Sequence, residues 1–243
     1  MMALDSFNSL KAWPLDGLSE FMLRCKMRGV REVNLTGTNT DPSLFQRQRE
    51  LLSILHDQEF RVGIRTNGAV RDIPYYDYAS LSVTSLDPDL YRKTMGQGSP
   101  PNIEWWLERY GLGLKINIVL CPETVPDDLY ATITRLARMG IGRINLREPY
   151  GQPHIGDPFS DMKADGSVKG MPVYVIDGCG VCYWDVHYCE VESVNLYASG
   201  RVSETYPITK GHADDGIVRG QEHFLKAGRV RKQWLTPDGE RQA

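Results

Sequence analysis

Cys179-Gly-Val-Cys182, with His187 and Cys189 a few residues on, is the densest group of soft ligands in the chain. Two thiols separated by two residues in a turn present both sulfurs to one metal, and a third Cys with a His completes a tetrahedral zinc set. Thiolates can equally hold an iron–sulfur cluster, and a C-x2-C turn ahead of a hairpin also serves as packing or redox chemistry. All of these readings stay open at Cys179, Cys182 and Cys189. A second group is spread along the chain: Thr36-Gly37-Thr38-Asn39-Thr40-Asp41-Pro42, Thr66-Asn67-Gly68, Ser82 with Thr84 and Ser85, Asn117, and Arg147-Glu148. Glycine allows close backbone approach to a ligand, and the hydroxyls, amides and guanidinium supply donors and acceptors. Each of these stretches also has an ordinary explanation as a turn or a structural pair. No Ser/His/Asp or Cys/His triad stands out, because His56, His154, His212 and His223 are far apart in sequence. A Walker-type phosphate loop and an HExxH helix are absent as well.

The second group gains weight from the elements that carry it. Strand-like runs recur at Arg31–Leu35, Arg61–Arg65, Ser80–Thr84, Leu114–Leu120 and Arg143–Leu146. Helical spacing fills the intervals: 17–28 through Leu18, Phe21, Met22 and Cys25; Ser43–Gln58; Pro88–Met95; Asn102–Tyr110; and Pro126–Met139. Strands alternating with helices predict parallel pairing by right-handed crossovers. The expected fold class is α/β, a partial parallel βα barrel of about five visible units. Every member of the second group then sits at the carboxyl end of a strand, where such sheets bind ligands. The repeat opens on a helix, one strand late. After Tyr150 the composition turns to Gly, Pro, Asp and Lys through Lys169, so 1–150 reads as the barrel core and 151–243 as a separate C-terminal region. That region holds a strand at Val173–Ile176 and a hairpin of Val191–Ala198 and Arg201–Ile208 about Ser199-Gly200.

Bulk properties narrow the function classes. With 243 residues, 41% hydrophobic, the chain can bury one substantial core. A net charge of −3 with basic residues dispersed gives no nucleic-acid footprint. No apolar run approaches the roughly 18 residues of a membrane span, and no signal peptide opens the chain, so a cytoplasmic protein is expected. Five cysteines, three of them within eleven residues, suit metal or redox chemistry in a reducing compartment better than a disulfide framework. Cys25 is in phase with a helical apolar face and is expected to be a buried thiol.

The order of the strand-end motifs resembles the radical S-adenosylmethionine (SAM) superfamily over residues 16–150. Val33-Asn34-Leu35-Thr36-Gly37-Thr38-Asn39 is similar to the second strand and the Gly-rich segment that receives the SAM amino group. Arg65-Thr66-Asn67-Gly68 resembles the Thr-Asn-Gly ending of strand three. Ser80–Asp87 resembles the strand-four segment near the SAM ribose, Lys115–Val119 strand five, and Arg143–Arg147 strand six. The resemblance implies SAM as cofactor, with Thr36, Gly37, Thr38, Asn39, Thr66, Asn67, Ser82, Thr84, Asn117 and Arg147 around it. It also implies a [4Fe–4S] cluster, a 5′-deoxyadenosyl radical acting on a small-molecule or peptide substrate, and an electron donor such as flavodoxin or ferredoxin. Two departures accompany it. The family's C-x3-C-x2-C loop occurs nowhere in the chain, and its expected position lies before Met1. Thr38-Asn39 stands where the family carries Gly-Glu, which removes a charge-assisted bond to the ammonium group. A non-catalytic SAM-fold binding or scaffold protein, with zinc or an auxiliary cluster at Cys179, Cys182 and Cys189, is the alternative reading.

Overall fold

The structure, a computed structural model, describes residues 13, 15–37, 41–96, 98–121, 126–148, 155–185, 192–197 and 200–205. The chain forms α1 (Leu18–Met27), β1 (Glu32–Thr36), α2 (Gln48–Asp57), β2 (Arg61–Thr66), β3 (Tyr78–Ser82), α3 (Pro88–Met95), α4 (Ile103–Tyr110), β4 (Leu114–Val119), α5 (Pro126–Arg138) and β5 (Arg143–Arg147). Then follow β6 (Gly166–Val168), β7 (Met171–Ile176), β8 (Cys179–Trp184), β9 (Glu192–Leu196) and β10 (Val202–Thr205). Eight strands form one sheet in the order β1-β2-β3-β4-β5-β8-β7-β6, and β9 pairs with β10 in a separate hairpin. Strands β1 to β5 and β8 run parallel, while β7 and β6 join antiparallel. The expected α/β class and the partial barrel are therefore present, with helices between the strands and a hairpin near the C-terminal end.

Helix boundaries follow local chemistry. Gly29, at φ +66, ends α1 with the Val30 amide bonded back to the Cys25 carbonyl at 2.9 Å, a Schellman-type stop. Asp87 and Asn102 cap α3 and α4, each accepting backbone amides of the first turn. The helix expected over Ser43–Gln58 starts only at Gln48. Asp41 accepts the Ser43 amide and, with Pro42, closes a short 3-10 turn over Pro42–Leu44, after which Phe45 is extended and buried. Strand β3 lies two residues earlier than the expected Ser80–Thr84.

Strand β8 replaces the turn expected at Cys179–Cys182. The turn is at Asp177-Gly178, both with positive φ (48° and 79°), and Lys169-Gly170 repeats the arrangement between β6 and β7 (53° and 78°). Two consecutive left-handed residues are the signature of two-residue hairpin loops. They build β6-β7-β8 as a meander that leaves β8 parallel to β5.

Successive strand residues point to opposite faces. On the helix side lie Val33, Val62, Ile64, Ala79, Leu81, Ile116, Ile118, Ile144, Leu146, Val181 and Tyr183, all buried in one core with Leu52, Leu55, Trp106, Ile133 and Leu136 from the helices. The other face, the inner face of the partial barrel, carries Asn34, Arg65, Ser80, Ser82, Lys115, Asn117, Asn145, Arg147 and Trp184. The hairpin β9–β10 seats against α1. Arg24 and Arg28 reach Glu204 at 3.4 and 2.5 Å, and Gly17 lies so close to Gly200 that a Cβ there would stand 2.1 Å from the Gly200 carbonyl oxygen.

Candidate functional site

Ladder register places the polar residues of the inner face in rows. Thr36 aligns with Arg65, Arg65 with Ser80, and Ser80 with Lys115. One step toward the carboxyl ends, Ser82, Asn117, Asn145 and Cys182 align, and beyond them Val119, Arg147 and Trp184. An open trough of 1160 Å³ runs over these rows and continues round the β1 edge to Leu18, Phe21 and Cys25. Its size suits a ligand larger than a single ion.

Seven of the residues picked from sequence for the cofactor lie on the trough's wall: Thr36, Gly37, Thr66, Asn67, Ser82, Asn117 and Arg147. Asn117 is 6% exposed, and its side-chain oxygen is buried with no hydrogen-bond partner among the described residues. An amide left so is expected to find a partner in a ligand or water. The Arg147 guanidinium lies 5.8 Å from the Trp184 ring centroid, a cation–π distance. Gly37 ends the β1 segment and borders the same trough. Thr38 and Asn39 lie outside the described residues.

Thr66 and Asn67 are spent on their own turn. The Thr66 hydroxyl donates to the Asp41 carboxylate (2.8 and 2.9 Å), the Asn67 amide donates to the same group at 2.7 Å, and Asn67 Oδ1 accepts the Ala69 amide at 2.9 Å. Asp41 thus ties the end of β2 to the β1–α2 connection. Thr84 hydrogen-bonds Thr94 of α3 at 2.6 Å. Glu148 holds the next loop: one carboxylate oxygen accepts the Ile155 and Gly156 amides (2.9 and 2.7 Å) and the Tyr183 hydroxyl at 2.7 Å. Burial, then the Glu148 carboxylate, pushes the Tyr183 phenol well above its usual value.

The cysteines do not converge. Cys179 and Cys182 sit three apart in β8, so they face opposite sides of the sheet. Cys179 joins the helix-side core, and Cys182 packs with Met171, Val173 and Trp184. Two thiols on opposite faces cannot share one metal, which corrects the chelating turn expected for this pair. Burial raises the Cys179 thiol to about 11, as it does for Cys25, so both are poor thiolates at neutral pH. Cys189 and His187 lie outside the described residues, among which no group of three or more His, Cys, Asp or Glu is placed to hold a metal. Cys179 and Cys182, on opposite faces of the sheet, do not fit together as ligands of one [4Fe–4S] cluster.

Sequence reasoning passed over Arg65, Lys115, Arg143 and Asn145. The signal was present as alternation: Lys115-Ile-Asn-Ile and Arg143-Ile-Asn-Leu-Arg147 each put a polar residue at every second position. A parallel strand buried on both faces reads as a continuous apolar run, so alternation marks one wet face. Lys115 is pushed down to about 8, first by burial and then by the positive charges of Arg65, Arg147 and Arg143.

A mostly parallel α/β sheet with a polar inner face and a trough across its strand ends is the class of architecture these features define. Solved structures of Streptococcus suis SuiB share part of this shape. One matches with 20% identity and a TM-score of 0.47, covering 56% of this chain and 34% of that one. SuiB bound to S-adenosylmethionine matches at 22% and 0.44 (53% and 32% covered), and SuiB bound to precursor peptide SuiA at 19% and 0.47 (56% and 33% covered). The chain spans about a third of the length of these structures. No family model and no curated protein matches the chain. Among the described residues no helix is long and apolar enough to cross a membrane.

Proposed function

We propose that this chain is the SAM-binding barrel portion of a radical SAM-type enzyme. The observation that carries the reading is the placing of Thr36-Gly37, Ser82, Asn117 and Arg147 on one wall, in the motif order that resembles that superfamily. Thr36 and Gly37, with Thr38 and Asn39, receive the amino group of SAM. Ser82 and Asn117 line the ribose and adenine side, and Arg147, held against Trp184, faces the mouth. Thr66, Asn67 and Asp41 act as positioning residues, since their hydrogen bonds fix the β1–α2 connection against β2. Bound SAM supplies the reactive adenosyl group when a reduced cluster is present; the described residues of this chain bind and orient it and exclude water. Flavodoxin or ferredoxin as electron donor and a small-molecule or peptide substrate belong to the same proposal.

The cysteine geometry favours a second reading, a SAM-fold binding or scaffold protein without a cluster of its own. Anaerobic iron–sulfur reconstitution of the protein as its gene encodes it, with any segment encoded in frame upstream of Met1, read by iron content and electron paramagnetic resonance, separates the two. A SAM-responsive cluster signal supports the enzyme. SAM binding without iron uptake supports the scaffold, and the absence of both overturns the SAM assignment.

A further inference from the structure

Arg65 and Lys115 face the trough from β2 and β4, two strands apart with β3 between, roughly 10 Å at the backbone. The residue in register between them is Ser80, which is buried and places no carboxylate between the two cations. Neither cation makes an ion pair among the described residues, and the Arg65 Nε is buried without a partner. The two carboxylates on the trough wall are committed elsewhere: Glu32 pairs with Arg61 at 2.5 Å, and Asp41 holds Thr66 and Asn67. Desolvated like charges oppose one another, so an uncompensated pair facing a cavity is an arrangement completed by an anion.

We infer that Arg65 and Lys115 form an oxyanion-binding site on the inner face, which takes the carboxylate or phosphate group of an organic ligand. A guanidinium fork matches either group with two parallel hydrogen bonds, and the ammonium adds a mobile point charge. The trough has room for the remainder of an organic molecule beside the anchored anion. The site goes beyond the SAM reading and stands without it, because that reading uses neither Arg65 nor Lys115.

The test titrates the full chain, without SAM, against inorganic phosphate, succinate and neutral succinamide at constant ionic strength, read by calorimetry and by thermal shift. Saturable binding of phosphate or succinate, absent for succinamide, is expected, and which anion binds identifies the group. Arg65→Gln and Lys115→Gln should each weaken that binding at least tenfold, and Lys115→Arg should restore most of it. Lys115→Gln should also leave the ligand-free chain at least as heat-stable as the parent, since it removes a buried repelled charge. The inference is overturned if neither anion binds, or if both bind the Arg65→Gln/Lys115→Gln double variant as well as the parent. It is overturned likewise if Lys115→Gln destabilises the ligand-free chain while anion binding is unchanged. SAM, titrated separately into the same proteins, reports on the proposed function alone.

Discussion

The two faces of the sheet are built from the same strands and differ residue by residue. On the helix side Ile64, Leu81, Ile116, Ile144 and Leu146 are fully buried against α2, α4 and α5. One position along each strand the side chains become Arg65, Ser82, Asn117, Asn145 and Arg147, none of which can drive folding by burial. The apolar face holds the fold, which leaves the polar face free to carry groups that cost stability. Lys115 is the clearest case, a desolvated ammonium among cations on a sheet whose other side supplies the compensating apolar contact.

The largest effect expected from this division is on the helix side. Trp106 is fully buried, and Trp106→Ala should cost about 3–5 kcal/mol. Asn145→Ala on the inner face should stay within about 0.5 kcal/mol. Urea unfolding of the two variants compares the faces directly, and similar losses would break the division.

Asp41→Ala comes next. It removes the acceptor for Thr66, Asn67 and Ser43, and roughly 1.5–3 kcal/mol should be lost as charge-assisted bonds disappear. Hydrogen exchange at the Asn67 amide should accelerate by more than exchange within β4; uniform acceleration would show that the connection is not a local tie.

Gly17→Ala probes the hairpin rather than the sheet. Its positive φ and the 2.1 Å approach to the Gly200 carbonyl leave no space for a methyl group. The strained backbone should cost about 1 kcal/mol or more. Limited proteolysis should cut between β9 and β10 sooner than in the parent while the barrel portion survives, and an unchanged cleavage pattern would refute the docked hairpin.

The smallest effect sharpens the account of the polar face. Lys115 falls from 10.5 to about 8 on folding, so between those values the unfolded chain binds more protons and stability rises with pH. Its destabilising contribution is complete below pH 8 and is relieved as pH climbs toward 10.5. Cys25 and Cys179, raised from 9.0 to about 11, act in the opposite sense above pH 9. The difference between Lys115→Met and the parent isolates the lysine: the variant's advantage should be greatest near pH 7 and shrink by pH 10. A flat difference would mean that Lys115 is not desolvated.

Much of the parallel half could be read from the chain because each strand and helix there carries its own local signal. Arg61–Arg65 and Leu114–Leu120 each set β-branched or apolar residues at alternate positions, and their positions hold to within a residue or two. In the meander the strand at Val173–Ile176 is legible, but two signals compete at its next turn. Cys179-Gly-Val-Cys182 offered a metal-binding spacing, while Asp177-Gly178, the stronger backbone signal, sits just before it. The rows of the inner face depend on register between strands distant in sequence, which no local pattern specifies. Hydroxyls at Thr66 and Thr84 looked available for a ligand, yet Asp41 and Thr94 occupy them, and sequence spacing does not reveal such neighbours.

The central claim, that the inner face with its strand-end mouth is the ligand side and binds SAM, is tested most directly by calorimetric titration of SAM into the full chain under anaerobic conditions. The expected result is saturable binding of one SAM per chain, weakened at least tenfold by Asn117→Ala and unchanged by Glu50→Gln on the exposed side of α2. Failure of the folded chain to bind SAM, or binding indifferent to Asn117, would contradict it.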